Sequence, residues 1–305
     1  SLGRILVGVG VSACLMAPFA YFRRSYPAER QAQLGLWMLV AGTSGAVVAT
    51  LPAGILAEVL GWRMVFALFA VLLLVSALAV FIFVPDHDVS AAKAAEHKAR
   101  GPGESLVRHP AMTRLVPLAA IGHGGVVALQ TLWAGPWMTQ MLGMTSGDMA
   151  GILFAFMLTL MCSYVAMSFI SPVLQRRGIG LPRIALAGYV FVIPLVIAIA
   201  LFPLPGSWVL WLVLALGVPA LSLLQPALAL QFPKAVAGRV FTLYNLFMFT
   251  GAFAVQWGIG LAIDFLHRMG APERTAYPAA FIALALLQAL SVWWFVRRGG
   301  LRRAA

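Results

Sequence analysis

The 305-residue sequence predicts an all-α, polytopic membrane protein. Three observations carry that expectation. Hydrophobic residues make up 62% of the chain and charged residues only 10%, where a soluble domain holds roughly 45–50% and about 25%. The mean hydropathy is +0.95. Most telling, nine uncharged apolar runs are each long enough to cross the roughly 30 Å hydrocarbon core as a helix, which satisfies its own backbone amides. The alternating ten-residue strands of an outer-membrane barrel are absent from the sequence.

The runs are 5–22, 34–57, 64–85, 115–138, 149–171, 184–203, 207–231, 240–263 and 277–296, and none contains Asp, Glu, Lys or Arg. Their Gly and Pro residues do not argue against helices, because membrane helices tolerate both. The connections between them carry the charge. Segments 23–33, 86–114, 172–183 and 232–239 and the tail 297–305 hold seventeen of the 21 Lys and Arg residues. The opposite side holds only Arg4, Arg63, Arg268 and Arg274. By the positive-inside rule the first set is cytoplasmic, which makes the C-terminus cytoplasmic and the net charge of +12 a statement of topology. Nucleic acid is set aside, since its recognition needs a water-exposed basic face. Cys14 and Cys162 lie inside apolar runs, so no disulfide framework or paired metal motif is expected.

Self-similarity appears at an offset of 206 residues. Tyr26-Pro27 matches Phe232-Pro233, Gly45 matches Gly251, Gly54 matches Gly260, and Glu58 matches Asp264, each acid closing a helix. Ala17-Pro18 finds Gln225-Pro226 at an offset of 208. The repeat divides the chain into residues 1–85, the last three helices of one half-bundle; 86–114, a polar cytoplasmic linker; and 115–305, a six-helix half-bundle with a basic tail. Pairing the halves leaves about ninety residues, or three helices, without a counterpart ahead of Ser1, and the chain is expected to be N-terminally incomplete.

Local motifs agree with this division. Gly3-Arg4-x-x-x-Gly8-x-Gly10, Gly61-Trp62-Arg63-x-x-Phe66 and Leu132-Trp133-Ala134-Gly135-Pro136-Trp137, set in two six-helix halves of parallel repeat, resemble the major facilitator superfamily of secondary transporters, as its helices four to twelve. The family's loop between helices eight and nine corresponds to 171–178, where Ser171 replaces a glycine and Gln175 an acid. No Gly-Pro pair of the antiporter type stands in run 34–57. The resemblance implies a central substrate cavity lined here by the first, fourth and seventh runs, flanked by the second, fifth and eighth, with no cofactor and no enzymatic reaction.

Polar groups inside such runs are functional candidates, because burying them in lipid is costly. Arg4 opens the first run on one face with Gly8 and Ser12. It is either an anion or coupling contact, as the resemblance implies, or an arginine snorkelling to the interface. His123 is the only side chain in the runs that titrates near neutral pH. At helical spacing it shares a face with Gln130 and Trp137, and Trp133 stands close by; its rival role is a hydrogen bond between helices packed closely at Gly122, Gly124 and Gly125. Thr242, Asn245, Phe249 and Gln256 recur near helical period in the eighth run. Gln225 precedes Pro226, where a kink frees carbonyls. Arg4, His123, Gln130, Trp133, Gln225, Asn245 and Gln256 are the expected substrate or coupling residues. Glu58 and Asp264 are expected to be ion-paired caps near Arg63 and Arg268. No Walker sequence, nucleophile motif or metal spacing occurs, so neither cofactor nor metal is expected.

These readings predict alternating-access transport of a small solute across a bacterial cytoplasmic membrane. Proton symport is expected, and the lack of acids in the runs favours an organic anion over a cation. A ligand sensor on the same scaffold, or a fragment that moves nothing, is the alternative.

Overall fold

A computed structural model describes residues 16–83 and 106–299, together with Gly3, Gly8 and Gly10. Regular structure there is helical throughout. Seven helices are long and apolar enough to cross a membrane, and a bent pair supplies an eighth span. Run 5–22 lies mostly outside the described residues, so of the nine expected spans seven, or eight when the bent pair is taken as one span, are traced there. Its end forms α1, Met16–Ser25.

Run 34–57 is not one straight rod. It is α2, Ala28–Val48, and α3, Leu51–Leu60, bent by 41° where Thr50 precedes Pro52 at the start of the second piece. Pro is well placed in a first helical turn, where its missing amide costs nothing. α4, Trp62–Phe83, packs mainly on α3, and Val65 is its sole buried residue. The next span begins earlier than its run predicts, at Pro110, because the His109 imidazole accepts the Ala111 amide at 3.2 Å and Pro110 occupies the first turn. This span, α5, covers Pro110–Leu142. Gly143 stops it at φ 67°, a left-handed geometry that glycine adopts without strain, and its amide returns to the Thr139 carbonyl.

α6 is Ser146–Arg176, capped by the Thr145 hydroxyl on the Asp148 amide at 3.2 Å. α7, Leu181–Leu201, follows. The seventh run breaks into α8, Val209–Ser222, and α9, Leu224–Ala229. Pro226 brings no amide to the Ser222 carbonyl, which accounts for the interruption at Leu223. α10, Ala237–Arg268, and α11, Glu273–Arg297, complete the bundle.

Helices α5 to α11 share one core, in which Trp137, Tyr189, Trp211 and Phe281 are fully buried. Trp137 and Trp211 rings lie 5.7 Å apart, and Trp211 meets Phe281 edge-on at 6.4 Å. The earlier helices join this core along a seam. α2 runs against α6, with Trp37 edge-on to Phe169 at 5.8 Å. α1 packs on the start of α10, where Phe19 lies 5.1 Å from Phe241, and the Arg23 guanidinium donates to the Phe232 carbonyl at 3.2 Å. That carbonyl lies just past the end of α9, where positive charge is favoured. Gly35 lets α1 and α2 approach each other, since a Cβ there would stand 2.6 Å from the Phe19 ring.

The basic connections gather at the same end of the bundle as this seam. Arg114 shares a crevice with Pro182, Gln231 and Phe295, which brings the starts of α5 and α7 to the ends of α9 and α11. The expected acid caps do not form. Glu58 and Asp264 are exposed, and the ion pair seen among the described residues is His267 with Glu273 at 3.3 Å. Arg63 instead stacks over Trp62, 4.5 Å from the ring centre.

Candidate functional site: a buried His–Tyr cluster

α5 is built from three α-helical stretches separated by two π-helical ones, Leu118–His123 and Leu129–Trp133. Pro117 opens the first, and Pro136 follows the second, where it leaves the Leu132 carbonyl without its usual donor. Wide π turns break the 3.6-residue register, and such segments recur at functional sites. The 3.6-residue period that places His123, Gln130 and Trp137 on one face is accordingly interrupted. His123 is buried, Gln130 is half-buried, and Trp137 turns into the core against Trp211.

Residues 122–125 form a crossing point. An added Cβ at Gly122 would meet the Tyr189 ring of α7 at 2.6 Å. At Gly124 it would meet the Met248 oxygen of α10 at 2.5 Å, and at Gly125 the Leu284 side chain of α11 at 3.0 Å. Gly251 of α10 approaches the Ala120 backbone in the same way. The three glycines therefore do pack helices closely, and they seat His123 where α5, α7, α10 and α11 converge.

There the His123 Nδ1 lies 3.2 Å from the Tyr244 hydroxyl of α10. Two further tyrosines, Tyr164 on α6 and Tyr189 on α7, are buried as Tyr244 is. The Tyr164 hydroxyl pairs with Ser222 of α8 at 3.1 Å, and the Tyr189 hydroxyl donates to the Leu118 carbonyl at 3.1 Å. Gln288 of α11 donates to the Gly122 carbonyl at 3.1 Å. These pairs draw on six helices, α5, α6, α7, α8, α10 and α11, and all of their side chains are buried. Tyr164, Tyr189, Tyr244, Ser222 and Gln288 were not singled out in the sequence. Each is a lone polar tip in an apolar run, and only the pairing across helices separates a hydroxyl that works from one that is merely tolerated.

The remaining expected residues fall into distinct places. Asn245 is buried beside Tyr244 in sequence, and Gln225 is buried with its Nε2 unpartnered. Gln130 likewise keeps a buried Oε1 without a partner. Buried polar atoms without partners are rare and call for a water, ion or ligand. Trp133 and Gln256 meet each other instead. The indole donates to the Gln256 carbonyl at 3.2 Å, and the Gln256 amide donates to Thr131 at 2.9 Å. Their observed role is to tie α5 to α10. The polar stripe of α10 is split as well, because Thr242 and Phe249 are exposed while Asn245 is buried. Arg4 lies outside the described residues. Among the described residues no cluster of His, Cys, Asp and Glu has metal-binding geometry.

Seven apolar spans among the described residues, or eight with the bent pair, make this a multi-pass membrane protein with a buried, carboxylate-free polar cluster. The sequence model of the Major Facilitator Superfamily matches residues 1–256, and the chain belongs to that family. Its members are membrane transporters of small solutes, not enzymes. No curated protein matches the chain.

Proposed function

We propose that this chain takes up a small organic anion together with protons, by alternating access across a bacterial cytoplasmic membrane. One observation carries the reading. The His123–Tyr244 pair and the Tyr164–Ser222 pair lie buried with the unpartnered amide atoms of Gln130 and Gln225. No carboxylate in the apolar runs offsets them. Hydroxyls and amides without a competing acid suit a carboxylate or similar anion, and a buried imidazole is a proton carrier by chemistry. Arg4, at the head of the first span, is assigned to the same pathway as an anion contact.

The two half-bundles, ending at Phe83 and beginning at Pro110, move against one another across the α1–α10 and α2–α6 seam, joined by the polar segment between them. The basic end faces the cytoplasm and so does the C-terminus.

Counterflow in proteoliposomes tests the reading, using radiolabelled mono- and dicarboxylates against amine controls. Exchange of carboxylates, faster with an inward proton gradient, is the expected result. Exchange of amines alone, or a rate indifferent to pH, would overturn the anion and proton assignments, and binding without exchange would mark a sensor.

A further inference from the structure

Away from the His–Tyr cluster, the densest unpaired charge lies where α5 begins and α11 ends. Arg108, Arg114 and Arg298 line a 330 Å³ crevice with Pro110, Thr113 and Trp294. Among the described residues no salt bridge engages any of the three, the ion pair there being His267–Glu273 at the opposite end. Three guanidinium groups around one crevice repel each other unless an anion sits between them. Topological anchoring needs basic residues on this side but does not need them to converge.

Two further features say what kind of anion fits. Arg298 stacks on Trp294 at 4.4 Å, and Arg297 on Trp293 at 5.0 Å. Stacking holds a guanidinium plane while leaving its N–H edge free to grip a phosphate through two parallel hydrogen bonds. The tryptophans also mark the membrane interface, where such rings collect. One turn before Trp294, Leu290 is exposed and continues an apolar surface down α11. A charged crevice at headgroup depth above a bare apolar helix face is shaped for a molecule with a phosphate at one end and acyl chains at the other.

We infer that Arg108, Arg114 and Arg298 form a binding site for the phosphate of an anionic phospholipid, whose chains lie along α11. The site is independent of the transport pathway proposed above, because none of its residues touches the His–Tyr cluster.

Native mass spectrometry of the protein extracted from equimolar phosphatidylglycerol and phosphatidylcholine vesicles tests this directly. The wild-type chain should retain one phosphatidylglycerol and no matching phosphatidylcholine. Arg114→Gln with Arg298→Gln should lower that retention by about thirtyfold, and Arg108→Gln alone by about fivefold, as expected from the surface attraction of each basic residue. Arg63→Gln, at the opposite end, should change nothing. Arg108 is exposed, so its variant reports on binding without threatening the fold. Undiminished phosphatidylglycerol in both variants, or equal retention of the two lipids, would overturn the site. Displacement of the lipid by millimolar inorganic phosphate would also overturn it, by showing a pocket for a soluble anion.

Discussion

Alanine at position 124 would place a methyl group 2.5 Å from the Met248 carbonyl oxygen and 2.8 Å from the Ala252 nitrogen, both in the backbone of α10. Ordinary contact begins near 3.4 Å, so α5 and α10 must part by about 0.9 Å. No side chain can rotate away to absorb the shift. In an open helix, Gly→Ala gains roughly 0.5–1 kcal/mol. Overpacking of a filled core costs about 1–3 kcal/mol, and a backbone clash belongs at the upper end. Gly124→Ala should therefore destabilise by about 1–2 kcal/mol, lowering the thermal midpoint in detergent by roughly 2–8 °C. Gly151→Ala on α6 supplies the contrast, because nothing stands within 4 Å of its Cβ position. It should leave the midpoint unchanged or raise it slightly. Equal midpoints for the two variants would refute the claim that residues 122–125 are a packed crossing.

Other perturbations follow from the same contacts. Tyr244→Phe leaves the His123 imidazole without its partner at 3.2 Å and should cost about 1–3 kcal/mol, read as a lower thermal midpoint; an unchanged value would show that the pair is not formed. Trp137→Ala empties a fully buried site and should cost about 3–5 kcal/mol, whereas Phe81→Ala, at 86% exposure, should change stability by less than about 0.5 kcal/mol in detergent titrations. Arg23→Gln weakens the bond to the Phe232 carbonyl, a charged interaction of about 1.5–3 kcal/mol. Spin labels placed on α1 and on the start of α10 should then show a longer distance, and an unaltered distribution would deny the bond a role in holding these helices together.

The sequence made the spans legible because a bilayer imposes one demand, a run of about twenty uncharged apolar residues. Seven of the nine runs correspond to spans that TM-length helices trace directly, and the break beside Pro226 was readable from the missing proline amide. The bend at residues 49–50 was not, since its Pro stands in a run that hydropathy treats as continuous. Side-chain faces were the weakest expectation. Projection at 3.6 residues per turn set His123 on one face with Trp137, and π-helical stretches, invisible to composition, interrupt that period. Glycines show the same limit. Gly251 is in tight contact and Gly260 touches Trp133 at 3.5 Å, but Gly42, Gly45 and Gly258 meet nothing within 4 Å. A glycine in a membrane helix announces room for an approach, and only the neighbouring helix says whether the approach occurs. The tyrosines of the cluster were missed for the same reason, as their hydroxyl partners lie on other helices.

Proton movement driven by the solute tests the central claim most directly. Proteoliposomes holding a trapped pH dye are given an external carboxylate that exchanges in the counterflow assay, with wild-type chain and His123→Gln compared. The account predicts that the lumen acidifies with wild type, and that His123→Gln binds the carboxylate with little change while the acidification falls at least about tenfold, the scale of losing a positioned proton carrier. Carboxylate uptake with no acidification in wild type, or full acidification in His123→Gln, would contradict it.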